Sequence, residues 1–189
     1  MNTLELVAAL LGGVSVWLVV RRNILAFPIG IVMVLLYVWI FFEAKLYSDV
    51  LLQIFFAVMQ VHGWLEWRRG DRADDSKIAV RSLSDVQWVW TGALQLVGFL
   101  ALGYVMDTYT DAAAPYMDAF VAVQSVLAQW WMNKRYVENW VLWIGVDQVA
   151  MFLYASKSLW FTTVLYAVFL VMAVAGYVEW RKKLAQPAA

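Results

Sequence analysis

The sequence predicts an all-α integral membrane protein with seven transmembrane helices, built as two parallel three-helix repeats joined by a linker helix. Three observations lead there. Apolar residues arrive in seven separate blocks, Lys and Arg collect in alternate connections, and one block with its basic flank recurs 113 residues later. The chain has 189 residues, 64% hydrophobic and 15% charged, with a mean hydropathy of +0.68. Soluble domains are roughly half apolar and a quarter charged.

Each block is long enough, or nearly so, to cross a hydrocarbon core of about 30 Å. The first, Leu4–Val20, has no Lys or Arg before it, whereas Arg21 and Arg22 follow it. That polarity is the reverse of a secretory signal, so the block reads as a helix that stays. The second, Phe27–Phe42, carries Pro28 in its first turn, where a missing N–H costs little. Ser48 stands ready to cap the third, Asp49–Trp67. The stretch Arg68–Asp85 is the one extended polar segment, and Ser84 ends it before the fourth block, Val86–Val105. Pro115 opens the fifth, Tyr116–Met132. Asn139–Ala155 and Phe161–Trp180 complete the set.

Orientation follows from the basic residues. Arg21 and Arg22, then Arg68, Arg69, Arg72, Lys77 and Arg81, then Lys134 and Arg135, and last Arg181, Lys182 and Lys183 all lie on one side. Only Lys45 and Lys157 lie on the other, beside Glu43, Asp107 and Asp111. An odd number of spans with Met1 outside and Ala189 in the cytoplasm is the consistent solution.

The internal repeat sets the architecture. With a shift of 113, Leu46–Arg68 lies on Leu159–Arg181 with ten of 23 positions identical; Gly63, Glu66, Trp67 and Arg68 fall on Gly176, Glu179, Trp180 and Arg181. Arg22 falls on Arg135, and Phe27 on Trp140. One extra span separates the copies, so they share an orientation. This 3+1+3 plan is SWEET-like, with substrate expected between the repeats near the midplane. A single transporter domain over 1–189 is expected: repeat one about 1–69, the cytoplasmic linker and fourth helix about 70–110, repeat two about 111–183.

Polar side chains deep in apolar helices need a reason. Here they are Gln53 and Gln60 on the third block, Gln95 on the fourth, Gln124 and Ser125 on the fifth, and Asp147 with Gln148 on the sixth; Tyr37 and Tyr166 add hydroxyls. The repeat puts Gln53 opposite Tyr166. Contact with a ligand is one reading, and hydrogen bonding between helices is the other. On the sixth block Asn139, Trp140, Trp143 and Asp147 form the densest group, and spacings of three and four put the last three on one face. Two indoles and a carboxylate suit a flat, cationic ring. The competing reading of the indoles is the interfacial aromatic belt, where Trp64, Trp67 and Trp180, beside basic residues, are expected. His62 reads as a packed or interfacial histidine.

Other functions lack their residues. There is no Cys and one His, so no metal site or thiolate nucleophile is expected, and no cofactor. A net charge of zero argues against nucleic acid. A membrane enzyme would need clustered His, Cys or carboxylates near one surface. A retinal photoreceptor would need a Lys in the middle of the last block, and Lys157 is too shallow.

The run Asn133-Lys-Arg-Tyr-Val-Glu-Asn-Trp-Val-Leu-Trp-Ile-Gly-Val-Asp147 resembles the signature of the PnuC-type nicotinamide riboside transporters, as do Lys45-Leu-Tyr-Ser-Asp49 with Leu52-Gln53, Gly63-Trp64-Leu65-Glu66-Trp67, and Arg22-Asn23 followed by Pro28-Ile-Gly30. The pattern departs at Phe27, where a tryptophan is common, and at Tyr177, which replaces a second Gly-Trp. The resemblance implies a SWEET-like homotrimer in the cell inner membrane, in contact with lipid. It implies facilitated diffusion of nicotinamide riboside, trapped inside by phosphorylation, and a site lined by Gln53, Asn139, Trp140 and Trp143. Related members carry thiamine or riboflavin. Nicotinamide riboside and thiamine both hold a cationic ring, and Asp147 does not separate them.

Overall fold

A computed structural model describes residues 3–43, 47–71, 79–112, 114–156 and 160–185. Lys45, Arg72, Lys77 and Lys157 lie outside them, as does the side chain of Ser48. Seven helices follow in order: α1 Thr3–Val20, α2 Ala26–Glu43, α3 Tyr47–Asp71, α4 Asp85–Tyr109, α5 Pro115–Asn133, α6 Asn139–Ser156 and α7 Trp160–Leu184. Each coincides with one apolar block of the sequence. The capping signals act as expected where they are described. Ser84 accepts from the Gln87 N–H and Gln87 reaches back to the Ser84 N–H, a full capping box, and Pro115 begins α5.

Five helical segments among the described residues are long and apolar enough to cross a membrane: Thr3–Val20, Ala26–Glu43, Val50–Arg69, Asp85–Tyr109 and Thr162–Leu184. The exceptions, α5 and α6, carry Gln129, Asn133, Asn139 and Asp147, all buried. Large apolar side chains such as Leu10, Trp39, Leu51, Val89, Phe152 and Val171 are exposed instead. Apolar outside and polar inside is the arrangement a hydrocarbon solvent selects.

The chain divides into two compact units, Met1–Ala79 and Val80–Pro187. In the first, α2 packs against both α1 and α3; in the second, α4, α5, α6 and α7 pack in succession. Helices α5 and α6 thus have a protein neighbour on two sides, which is why they tolerate polar residues that a lipid-facing helix would not.

Both units contain the same turn. Between α1 and α2, the N–H of Arg21 donates to Trp17 O (3.1 Å), Arg22 to Val19 O (2.9 Å), Asn23 to Leu18 O (2.8 Å) and Ala26 to Asn23 O (3.1 Å). Between α5 and α6, Lys134 donates to Trp130 O (3.1 Å), Arg135 to Met132 O (3.0 Å), Tyr136 to Trp131 O (3.0 Å) and Asn139 to Tyr136 O (3.2 Å). Every pair of these residues differs by 113. Among the described residues, the two non-glycine positions with positive φ are Arg22 (55°) and Arg135 (66°), left-handed positions that let the chain reverse at a helix end.

Each unit also locks the start of one helix to the end of another by an aromatic pair. Phe27 on α2 meets Trp67 on α3 edge to face, 4.9 Å between centroids, and Trp140 on α6 meets Trp180 on α7 in the same way at 5.5 Å. All four rings are buried, and Trp67 and Trp180 have no exposed surface at all. The expectation that these two tryptophans sit in the interfacial belt is therefore corrected. Their neighbouring arginines point that way in sequence, but the indoles face inward onto aromatic partners. Trp64 is half-buried, with the Arg68 guanidinium 5.8 Å from its ring.

Candidate functional site

In the first unit, Gln60 is the best-buried of the expected residues. Its amide lies on Gly30 of α2, where a Cβ would come 2.7 Å from Nε2 and 2.9 Å from Cδ. Glycine is what gives that amide its place at the α2–α3 contact. Gln53, two turns earlier, is half-buried, as is Tyr37, whose ring stacks on Phe41 at 5.6 Å. His62 is half-buried as well.

The second unit holds the denser group. Asn139 opens α6 fully buried; its Nδ2 donates to Tyr136 O at 2.6 Å, and its Oδ1 is buried with no hydrogen-bond partner. Trp140 follows, seated on Gly176 of α7: a Cβ there would lie 2.5 to 2.7 Å from three atoms of the six-membered ring. Its Nε1–H is buried and also has no acceptor. On α5, Gln124 has a buried Oε1 without a donor. Asp147 is two turns along α6 from Trp140, 4% exposed, and the described residues give it no hydrogen bond or ion pair. Buried polar atoms are nearly always satisfied. A buried acceptor on Asn139, a donor on Trp140 and an acceptor on Gln124, each without a partner, thus occur in the same unit as the buried Asp147.

Not every expected residue joins this group. Trp143 packs with Leu127 and Tyr136 against a cluster of Leu83, Ala128, Trp131 and Leu142, so at least part of its ring serves the α5–α6 contact. Tyr166 stacks on Tyr154 at 5.3 Å and meets Phe169 edge to face. Gln148 is exposed and lines an open, largely apolar groove of about 370 Å³ with Phe99, Tyr116, Phe120 and Phe152. Ser125 is buried on α5 and Gln95 half-buried on α4. No group of three or more His, Cys, Asp or Glu able to hold a metal occurs among the described residues.

Glu138 is a residue that sequence reasoning passed over. It is buried, and its Oε1 accepts from Ser82 Oγ (2.5 Å) and from the Leu83 N–H (3.2 Å). Gln129 likewise donates to Asn133 Oδ1 (3.1 Å) inside α5. A carboxylate beside two basic residues reads as a surface turn. The signal it did carry was its place inside the signature run Asn133–Asp147.

A family model described as nicotinamide mononucleotide transporter matches residues 2–182. The chain belongs to that transporter family. Relatives in the nicotinamide mononucleotide transporter family include the nicotinamide riboside transporter PnuC of Escherichia coli, 25% identical over 95% of this chain and 85% of its own length. The Neisseria mucosa protein of the same name is 29% identical over 93% and 71%. The riboflavin/roseoflavin transporter RibM of Streptomyces davaonensis is 25% identical over 93% and 83%. A crystal structure of the vitamin B3 transporter PnuC superposes with a TM-score of 0.77 at 28% identity, covering 96% of this chain and 81% of that one. The chain is thus a multi-pass membrane protein with the fold of that transporter.

Proposed function

We propose that the protein takes up nicotinamide riboside by facilitated diffusion, alternating access around a site that includes Asn139, Trp140, Gln124 and Asp147, with Gln53, Gln60, Trp143, Tyr37 and Tyr166 lining it. The observation that carries this is the set of buried, unsatisfied groups in the second unit. An amide oxygen accepts from a carboxamide or ribose hydroxyl, an indole N–H donates to one, and a carboxylate offsets a pyridinium charge. None of the seven helices holds a Lys or Arg away from its end turns. A phosphomonoester would meet no counter-charge inside them, which favours the riboside over the mononucleotide. All seven helices cross the inner membrane in this reading, α5 and α6 shielded by protein neighbours, with the N-terminus outside and the C-terminus cytoplasmic. The shared turn and aromatic pair support two parallel three-helix repeats joined by α4 in one SWEET-like transporter domain. A homotrimer and trapping by phosphorylation inside the cell complete the proposal.

Thiamine is the second reading, because its thiazolium is also cationic; riboflavin, neutral and larger, fits Asp147 less well. Binding titrations of the purified protein against nicotinamide riboside, nicotinamide mononucleotide, thiamine and riboflavin separate these. Preference for the mononucleotide or for riboflavin would reject the proposal. Proteoliposome uptake should equilibrate rather than accumulate under an imposed proton gradient; gradient-driven accumulation would reject the uniport mechanism.

A further inference from the structure

We propose that Glu138 is a positioning residue, which fixes the orientation of Asn139 by tying the segment before α4 to the α5–α6 turn. The inference rests on the reading of Asn139 as a site residue. Arg81 pairs with the turn through its backbone in both directions, its N–H donating to Arg135 O (2.9 Å) and its carbonyl accepting from Val137 N–H (2.9 Å). The next two residues, Ser82 and Leu83, both donate to Glu138 Oε1, and the Leu83 side chain enters the core with Ala128, Trp131 and Leu142. The residues so held, Arg135 to Val137, bracket Tyr136, whose carbonyl accepts from Asn139 Nδ2. That bond leaves Asn139 Oδ1 as the buried atom with no partner. Strap, turn and amide form one chain of contacts.

The first unit supplies the comparison. Its turn has the same internal hydrogen bonds, so the turn does not need a strap in order to form. There the counterpart of Glu138 is Leu25, which is 56% exposed, and the counterpart of Asn139 is Ala26, which has no amide to orient. The carboxylate and its strap occur where the polar side chain occurs. Stability alone is a poor reason for Glu138. It is 6% exposed, and its Oε2 is buried with no hydrogen bond, a costly arrangement for a carboxylate.

Two experiments on the full chain test this. Amide hydrogen exchange needs no ligand. In Glu138→Ala the Val137 amide should exchange roughly tenfold faster, the factor that one hydrogen bond to a charged group carries, while the α1–α2 turn is unchanged. Unaltered protection of Val137 overturns the strap. Binding is then measured for whichever of nicotinamide riboside, thiamine and riboflavin the parent protein binds. Glu138→Ala should weaken affinity roughly tenfold, and Glu138→Gln, which keeps the accepting oxygen, should restore it. In an Asn139→Ala background Glu138→Ala should have no further effect. An equal loss in both backgrounds overturns the positioning role. If Glu138→Ala does not fold, Ser82→Ala gives a smaller change in the same direction in both assays, and no change overturns the proposal. A parent protein that binds none of the three ligands refutes the transport reading, and the exchange result still judges the strap.

Discussion

At Gly176 the packing of this protein leaves no room for a single added methyl group. A Cβ at that position would stand 2.5 Å from Cε2, 2.6 Å from Cζ2 and 2.7 Å from Cδ2 of Trp140. The indole cannot swing aside, because it is 2% exposed and held edge-on by the wholly buried Trp180. Overpacking of this kind costs about 1–3 kcal/mol, whereas Gly to Ala in a helix returns up to about 1 kcal/mol. Gly176→Ala should therefore lose about 1–2 kcal/mol net, a fall in Tm of roughly 2–8 °C for a chain of this size. Gly13 and Gly92 have nothing within 4 Å of a Cβ, so alanine at either should hold or raise Tm. Thermal unfolding in detergent compares the three. Trp140→Phe, which copies Phe27 of the first unit, should be less harmful in the Gly176→Ala background than alone. A Gly176→Ala protein that melts at or above the parent would refute the argument that this glycine exists to admit the indole.

Other outcomes follow from the site and its supports. Asp147→Asn should weaken cationic ligands at least tenfold, roughly what one desolvated charge pair is worth, and leave riboflavin binding unchanged; equal effects on both would remove Asp147 as a counter-charge. The same variant should not lower Tm, because a neutral amide is easier to bury than a carboxylate, and Asp147 is buried. Trp143→Ala should lose both affinity and about 1–3 kcal/mol of stability, since its ring is half-buried against the Leu83 cluster, while Gln53→Ala should lose affinity at unchanged Tm. Ser84→Ala removes the cap of α4 and should cost about 1 kcal/mol, read as a lower Tm with unaltered ligand affinity.

Helix positions were legible because they depend on short-range features: the length of an apolar run, a serine before it, a proline in its first turn. The turn at Arg22 and its counterpart at Arg135 were legible as well, because equal local sequence gives equal local hydrogen bonding. Trp140 and Asp147 stood out as a polar and aromatic group on one helix face, and both are buried together with Asn139 in the second unit. The roles of Trp67 and Trp180 were not legible. A tryptophan next to arginine has the same sequence whether its ring faces lipid headgroups or another ring. Glu138 was missed for a related reason, since its donors lie 55 and 56 residues earlier in the chain.

What the sequence determines alone is where the chain is apolar, where it must turn, and which of its segments are copies. Those are properties of neighbouring residues and of the solvent each run prefers. Which face of each helix turns inward is decided only by tertiary packing. In a chain that is 64% hydrophobic, most faces are apolar enough for lipid, and solvent preference chooses only where a polar residue such as Gln129 or Asp147 marks the inward side. The choice falls to shape and hydrogen bonding: a glycine opposite an indole, a glycine under an amide, a carboxylate within reach of a distant N–H.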